Sequence, residues 1–106
     1  MNIYQEKTEN IIKYFDDFAE SRVKYRKKRS YYWDSITKYC DFFIHNESTV
    51  LEMGCGTGEL IGTVKGKYKA GIDISSKMIE RAKNQFPNVD FLSCSAENIQ
   101  LNQKFD

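Results

Sequence analysis

The spacing of apolar positions changes halfway along the chain. Ile3, Tyr4, Ile11, Ile12, Tyr14, Phe15, Phe18 and Ala19 follow the i, i+3, i+4 pattern of an amphipathic helix over residues 3–19. A second helical pattern over residues 30–45 puts Trp33, Ile36, Cys40, Phe43 and Ile44 on one face. His45-Asn46-Glu47-Ser48 reads as a turn. Beyond it, short apolar runs near 49–53, 69–73 and 89–93 alternate with helical segments near 59–65 and 76–85. Strands separated by helices predict a parallel sheet, and right-handed crossovers order its strands 3-2-1. The expected fold class is therefore α/β. A helical segment, 1–45, precedes an incomplete layered domain, 46–106.

Composition narrows the function little. The 106 residues carry a net charge of +1, which creates no global field directed at nucleic acid or a membrane. Locally, Arg22–Arg29 packs six positive charges into eight residues, with Tyr25, Tyr31 and Tyr32 in and beyond the run. Such a stretch is able to contact phosphates, which keeps a nucleic-acid-binding module as an alternative. A solvated helix face is the plainer reading, because the rest of the chain is not basic. Cys40, Cys55, Cys94 and the single histidine, His45, lack metal-ligand spacing, so no metal site is expected. Free thiols point to a reducing, cytoplasmic setting. No apolar run approaches the length of a spanning helix and no signal peptide is evident, so no membrane partner is expected.

The candidate chemistry lies at residues 50–60, Val-Leu-Glu-Met-Gly-Cys-Gly-Thr-Gly-Glu-Leu. A strand ends at the carboxylate of Glu52, and Gly54, Gly56 and Gly58 alternate before the next helix. Glycines in such a turn let a ligand approach the main chain closely. The dinucleotide fingerprint G-x-G-x-x-G requires its third glycine where this chain has Glu59, and a carboxylate there would face a pyrophosphate. This spacing disfavours an NAD-dependent oxidoreductase, which stays as the other alternative. Asp73 ends the second strand nineteen positions after Gly54, close to the usual spacing for an acid that binds a ribose.

Glu-x-Gly-x-Gly-x-Gly resembles motif I of the class I S-adenosylmethionine-dependent methyltransferases. Asp73-Ile74-Ser75-Ser76-Lys77-Met78 is similar to the D-x-S-x-x-M continuation of that family. Ser95-Ala96-Glu97 resembles the family's D-A-E, with a serine in place of the aspartate. Lys104-Phe105-Asp106 resembles the start of the fourth strand, and Lys-Lys-Arg-Ser-Tyr-Tyr-Trp resembles a subset sometimes joined to glycosyltransferase domains.

The resemblance implies a Rossmann-like fold and S-adenosylmethionine as cofactor, with S-adenosylhomocysteine as product. In it, Glu52 engages the methionine ammonium directly or through water. Gly54, Cys55, Gly56 and Gly58 form the turn under the cofactor, with Cys55 as a small filler. Asp73 binds the ribose and Ile74 faces the adenine. Met78 either contacts the adenine or fills the core. Ser95, Ala96 and Glu97 surround the adenine edge. Arg29 pairs with the methionine carboxylate and Tyr31 covers it. No catalytic residue is assigned, and the methyl acceptor is not specified. The chain is read as the cofactor-binding, N-terminal part of a longer enzyme, inactive by itself. Its first strand is expected to be an open edge able to promote self-association.

Overall fold

The computed structural model describes residues 2–99, 101 and 103–106, apart from the side chains of Val23 and Arg26. Helix α1 (Ile3–Lys28) is followed by α2 (Ser30–Phe43), β1 (Thr49–Met53), α3 (Glu59–Thr63), β2 (Tyr68–Asp73), α4 (Ser76–Gln85) and β3 (Asp90–Ser93). A short 3₁₀ turn spans Ala96–Asn98. The first helix runs nine residues past the predicted boundary at Ala19, through the basic stretch to Lys28. Neither glycine nor proline occurs before Gly54, and Lys and Arg are good helix formers, so nothing stops it earlier.

The sheet is parallel and ordered β1-β2-β3, which is the predicted 3-2-1 arrangement. Its register pairs Met53 with Ile72 and Asp73 with Ser93. The carboxyl ends of all three strands thus lie along one edge. β2 is central and the most buried of the three. At its middle, Gly71 leaves room for two neighbours: a Cβ there would lie 2.9 Å from both Cys55 Sγ and Phe91 Cε1.

The core gathers Cys55, Ile61, Val64, Ile79, Ala82, Val89 and Phe91, with Cys40 and Ile44 of the α2 segment packed against it. Packing therefore crosses the expected boundary at residue 45. α4 buries Met78, Ile79 and Ala82 on one face, starts at the Ser75 cap and ends at Phe86, just before Pro87. Phe43 departs from expectation: it is 63% exposed and rests on Tyr39 and Phe42. The inward face of α2 ends at Cys40 and Ile44, because the chain turns away to enter β1. Ile3, Tyr4, Ile11 and Tyr14 are likewise exposed, whereas Ala19 is buried. Helix α1 rests on α4 and the carboxyl edge of the sheet, so only part of its apolar face meets other residues.

Residues 104–106 run beside β1 on the side away from β2. Asp106 N–H donates to Thr49 O at 2.9 Å, and Thr49 N–H donates to the Asp106 carboxylate at 2.7 Å. Beyond that rung β1 is the edge of the described sheet.

Gly58 caps α3 with φ +86°, and a Cβ there would meet Phe91 Cζ at 2.8 Å and Ala82 Cβ at 3.1 Å. Left-handed backbone costs a residue with a Cβ about 1–2 kcal/mol, and overpacking a core costs about 1–3 kcal/mol. Gly58→Ala is expected to lower the unfolding free energy by about 2–5 kcal/mol in urea denaturation. A loss below about 0.5 kcal/mol would show that the Phe91 ring moves aside freely.

Candidate functional site

The alternating glycines are fastened to the end of β2. Gly54 N–H and Cys55 N–H both donate to Ile72 O, at 2.8 and 2.9 Å. Gly56 N–H donates to Asp73 Oδ2 at 2.9 Å, and Ser75 N–H donates to Asp73 Oδ1 at 2.9 Å. One carboxylate thereby holds the turn after β1 and the start of α4 together. A carboxylate has about four acceptor positions, so Asp73 keeps capacity for a ligand's hydroxyl groups.

A cavity of about 290 Å³ opens at this edge. Gly54, Gly56 and Asp73 form its floor, and Ile72, Ile74 and Met78 its apolar wall. Cys94, Ser95 and Ala96 close the β3 side, where Cys94 N–H donates to Asp73 O at 3.0 Å. The roof comes from α1, through Phe15 and Arg22. Seven of the residues singled out from the sequence line this space: Gly54, Gly56, Asp73, Ile74, Met78, Ser95 and Ala96. Met78 is also 1% exposed, so it fills the core and the cavity wall at once. Ser95 caps the 3₁₀ turn by accepting from Glu97 N–H at 3.3 Å.

The other six lie elsewhere. Glu52 borders a hollow beside β1, with Cys40, Ile44 and Leu60. Cys55 turns its thiol inward against Gly71, and Gly58 faces Phe91 and Ala82; both serve the core. Glu97 accepts from the Tyr4 hydroxyl at 2.7 Å, outside the cavity, and that bond raises the Tyr4 pKa. Arg29 and Tyr31 require correction. Arg29 sits in the break between the first two helices with its guanidinium 5.0 Å from the centre of the Tyr25 ring, and Tyr31 is 86% exposed. α1 continues straight through the basic run and carries both residues past the cavity.

The residues that sequence reasoning missed are on α1. Phe15, Ala19 and Arg22 are spaced as one inward stripe, which places a cation from the basic run over the glycine turn. Gly56 has φ +58°, and a Cβ there would lie 2.7 Å from Arg22 Nε. Asp16 was missed as well. Its carboxylate accepts from Ser75 Oγ, which in turn accepts from Met78 N–H at 3.2 Å. The helical spacing contained the signal for Phe15 and Arg22; nothing local marked Asp16.

A model of the methyltransferase domain family matches residues 50–106, more than half of the chain. This chain belongs to the methyltransferase domain family. A putative methyltransferase, 235L, of Invertebrate iridescent virus 6 is 32% identical over 89 residues, covering 79% of this chain and 34% of the viral protein. The ubiquinone/menaquinone biosynthesis C-methyltransferase UbiE of Campylobacter jejuni is 30% identical over 111 aligned positions, covering 91% of this chain and 47% of that protein. The chain thus spans about a third to a half of the length of these curated relatives. Among solved structures, a DhpI–SAH complex superposes with TM-score 0.68 at 22% identity, over 93% of this chain and 50% of the other. The plantazolicin methyltransferase BamL, solved with a triazolic desmethylPZN analog and SAH, gives TM-score 0.61 at 25% identity, over 92% and 46% of the two chains. The fold of this methyltransferase domain is Rossmann-like, as the resemblance implied. The comparisons lend no support to the oxidoreductase or nucleic-acid alternatives. Among the described residues there is no cluster suited to a metal ion, and no helix is long and apolar enough to cross a membrane.

Cys55 is no nucleophile in this domain. Burial pushes its thiol up to about 12, the charges of Glu52 and Asp73 add to the rise, and Arg22 opposes it. The neutral thiol's contribution to stability is intact below the ordinary value of 9.0 and is lost as pH rises from there towards 12. At pH 8, alkylation of native protein with iodoacetamide is expected to leave Cys55 unmodified while the urea-unfolded chain reacts there within minutes. Equal labelling in both states, read by mass spectrometry, would contradict this placement of the thiol.

Proposed function

We propose that this methyltransferase domain binds S-adenosylmethionine across the carboxyl ends of its strands and is the cofactor-binding part of an S-adenosylmethionine-dependent methyltransferase. The observation that carries the reading is Asp73. It stands at the end of β2, held by the N–H groups of Gly56 and Ser75, beside a cavity with an apolar wall. Two fixed N–H donors orient its free lone pairs towards a vicinal diol, and Ile72, Ile74 and Met78 offer the flat apolar surface an adenine needs. The donor set also suits a ligand without phosphate. Glu59 occupies the first turn of α3, where its carboxylate accepts from Thr57 Oγ1 at 2.6 Å and would repel a pyrophosphate.

When bound, the cofactor supplies an electrophilic methyl group on a sulfonium. The chain's part is to orient and to exclude water. Asp73 fixes the ribose, Ile74 and Met78 hold the base, and the left-handed backbone at Gly56 leaves the floor free of a Cβ. Orientation of this kind contributes up to about 7–11 kcal/mol of barrier lowering in well-aligned reactions. The methyl acceptor and any general base belong to parts of the enzyme that these residues do not define. Three free cysteines support a reducing, cytoplasmic setting.

In calorimetric titration, S-adenosylhomocysteine is expected to bind, and Asp73→Ala to weaken it about tenfold or more, the equivalent of about 1.5–3 kcal/mol for a hydrogen bond to a charged group. NAD is expected to show no measurable binding. Equal affinities for S-adenosylhomocysteine in a folded Asp73→Ala protein would refute the ribose assignment, and tight NAD binding would restore the oxidoreductase alternative.

We also propose that the 106-residue chain self-associates through β1, on whose open side Met53 is 63% exposed. Light scattering is expected to show a mass that grows with concentration and falls towards the monomer in Met53→Lys. A monomer at every concentration would remove the proposal.

A further inference from the structure

Arg22 is the one cation among the described residues that line the cavity, and Asp73 is the one carboxylate there. Its Nε is buried yet has no hydrogen-bond partner among the described residues, and Arg22 takes part in neither ion pair found among them. A buried guanidinium donor without an acceptor is unfavourable. It sits on the ligand side of the glycine turn, where a Cβ on Gly56 would come within 2.7 Å of it. Two groups that would satisfy it from within the protein are engaged elsewhere. Asp73 accepts from Gly56 and Ser75 N–H, and Asp16 accepts from the Ser75 hydroxyl. The missing acceptor must therefore arrive with the ligand, and a planar guanidinium is best matched by a carboxylate.

We propose that Arg22 is a specificity-determining residue that selects ligands carrying a free carboxylate, and that this contact couples ligand binding to the docking of α1. The proposal rests on the cofactor reading above, in which the amino-acid end of the ligand lies over Gly56. Its second part follows from the way α1 is held. Tyr4 bonds Glu97, Asp16 bonds Ser75, and Glu20 pairs with Arg81 at 3.4 Å across exposed surface. Each of these is a contact between side chains at the rim of the helix, and exposed ones of this kind are weak. A ligand carboxylate clasped by Arg22 adds an attachment over the cavity itself, with the ligand as the bridge between α1 and the glycine turn.

The test uses three ligands in calorimetry with the whole chain: S-adenosylhomocysteine, its decarboxylated analogue, and methylthioadenosine, which lacks the amino-acid end. Wild type is expected to prefer S-adenosylhomocysteine to the decarboxylated analogue by about tenfold or more, a preference that added salt reduces. Arg22→Gln is expected to lose that preference while binding methylthioadenosine within about twofold of wild type. In hydrogen exchange, amides of α1 are expected to gain protection with S-adenosylhomocysteine and not with methylthioadenosine. Equal wild-type affinities for the first two ligands overturn the proposal without needing any variant. Equal loss of all three ligands in Arg22→Gln also overturns it, since Arg22 would then act only on the fold. Failure of wild type to bind any of the three instead defeats the cofactor reading, and this inference falls with it.

Discussion

The carboxylate of Asp73 is the point on which the carboxyl edge of this domain depends. Its two oxygens take the N–H groups of Gly56 and Ser75, so the turn after β1 cannot move independently of the start of α4. The Ser75 hydroxyl then passes the connection on to Asp16 and thus to α1. Three segments far apart in sequence meet through one side chain. In a purely structural role, an acid in this position would be expected to use all its acceptor capacity internally. Here two hydrogen bonds leave about half of it open towards the cavity. An anchor that also faces a cavity is what a binding site needs, because the same bonds that hold the loop preorganise the ligand contact.

The three motif glycines look equivalent in sequence and do different physical work. Gly56 has its missing side chain on the cavity side, where Arg22 lies across it. Gly58, two residues later, has its missing side chain on the core side, against Phe91 and Ala82. The alternation follows from the turn's geometry: a chain that leaves a strand and enters a helix within a few residues presents successive left-handed positions to opposite faces. Only one of the two faces is available to a ligand. The motif therefore encodes packing and binding together, and Cys55 between them closes the core with a thiol too deeply buried to ionise at neutral pH.

The α/β half of the fold was legible because its signals are local. Strand-end acids, a glycine turn, a serine cap and a proline stop each act within a few residues, and β1, β2, β3 and α4 fall within a residue or so of their expected bounds. The orientation of α1 was not legible in the same way. Arg22 and Arg29 are seven residues apart in one basic run, so helical periodicity alone ranks them as equals on the same face. What separates them is where α1 ends. The helix breaks at Arg29, beyond the reach of the cavity, while Arg22 is still over Gly56. Phe43 was misplaced for a similar reason: its period is right, but the inner face of α2 stops before the turn into β1. Periodicity identifies a face, whereas the tertiary fold decides how far along the element that face is covered.

The same reasoning explains why the N-terminal helices belong to the functional unit. A three-stranded parallel sheet with one short helix and one longer helix has little apolar area to bury, and small domains bury a smaller share of their surface. Cys40 and Ile44 supply part of the core from α2, and Phe15 and Arg22 supply the roof of the cavity from α1. The glycine turn and Asp73 alone would form an open shelf along the sheet edge. With α1 laid across it, the shelf becomes an enclosed space that holds one cation and one anion near opposite ends of an apolar wall. A ligand that is polar at both ends and flat and apolar between them is the shape and charge pattern such a space accommodates best.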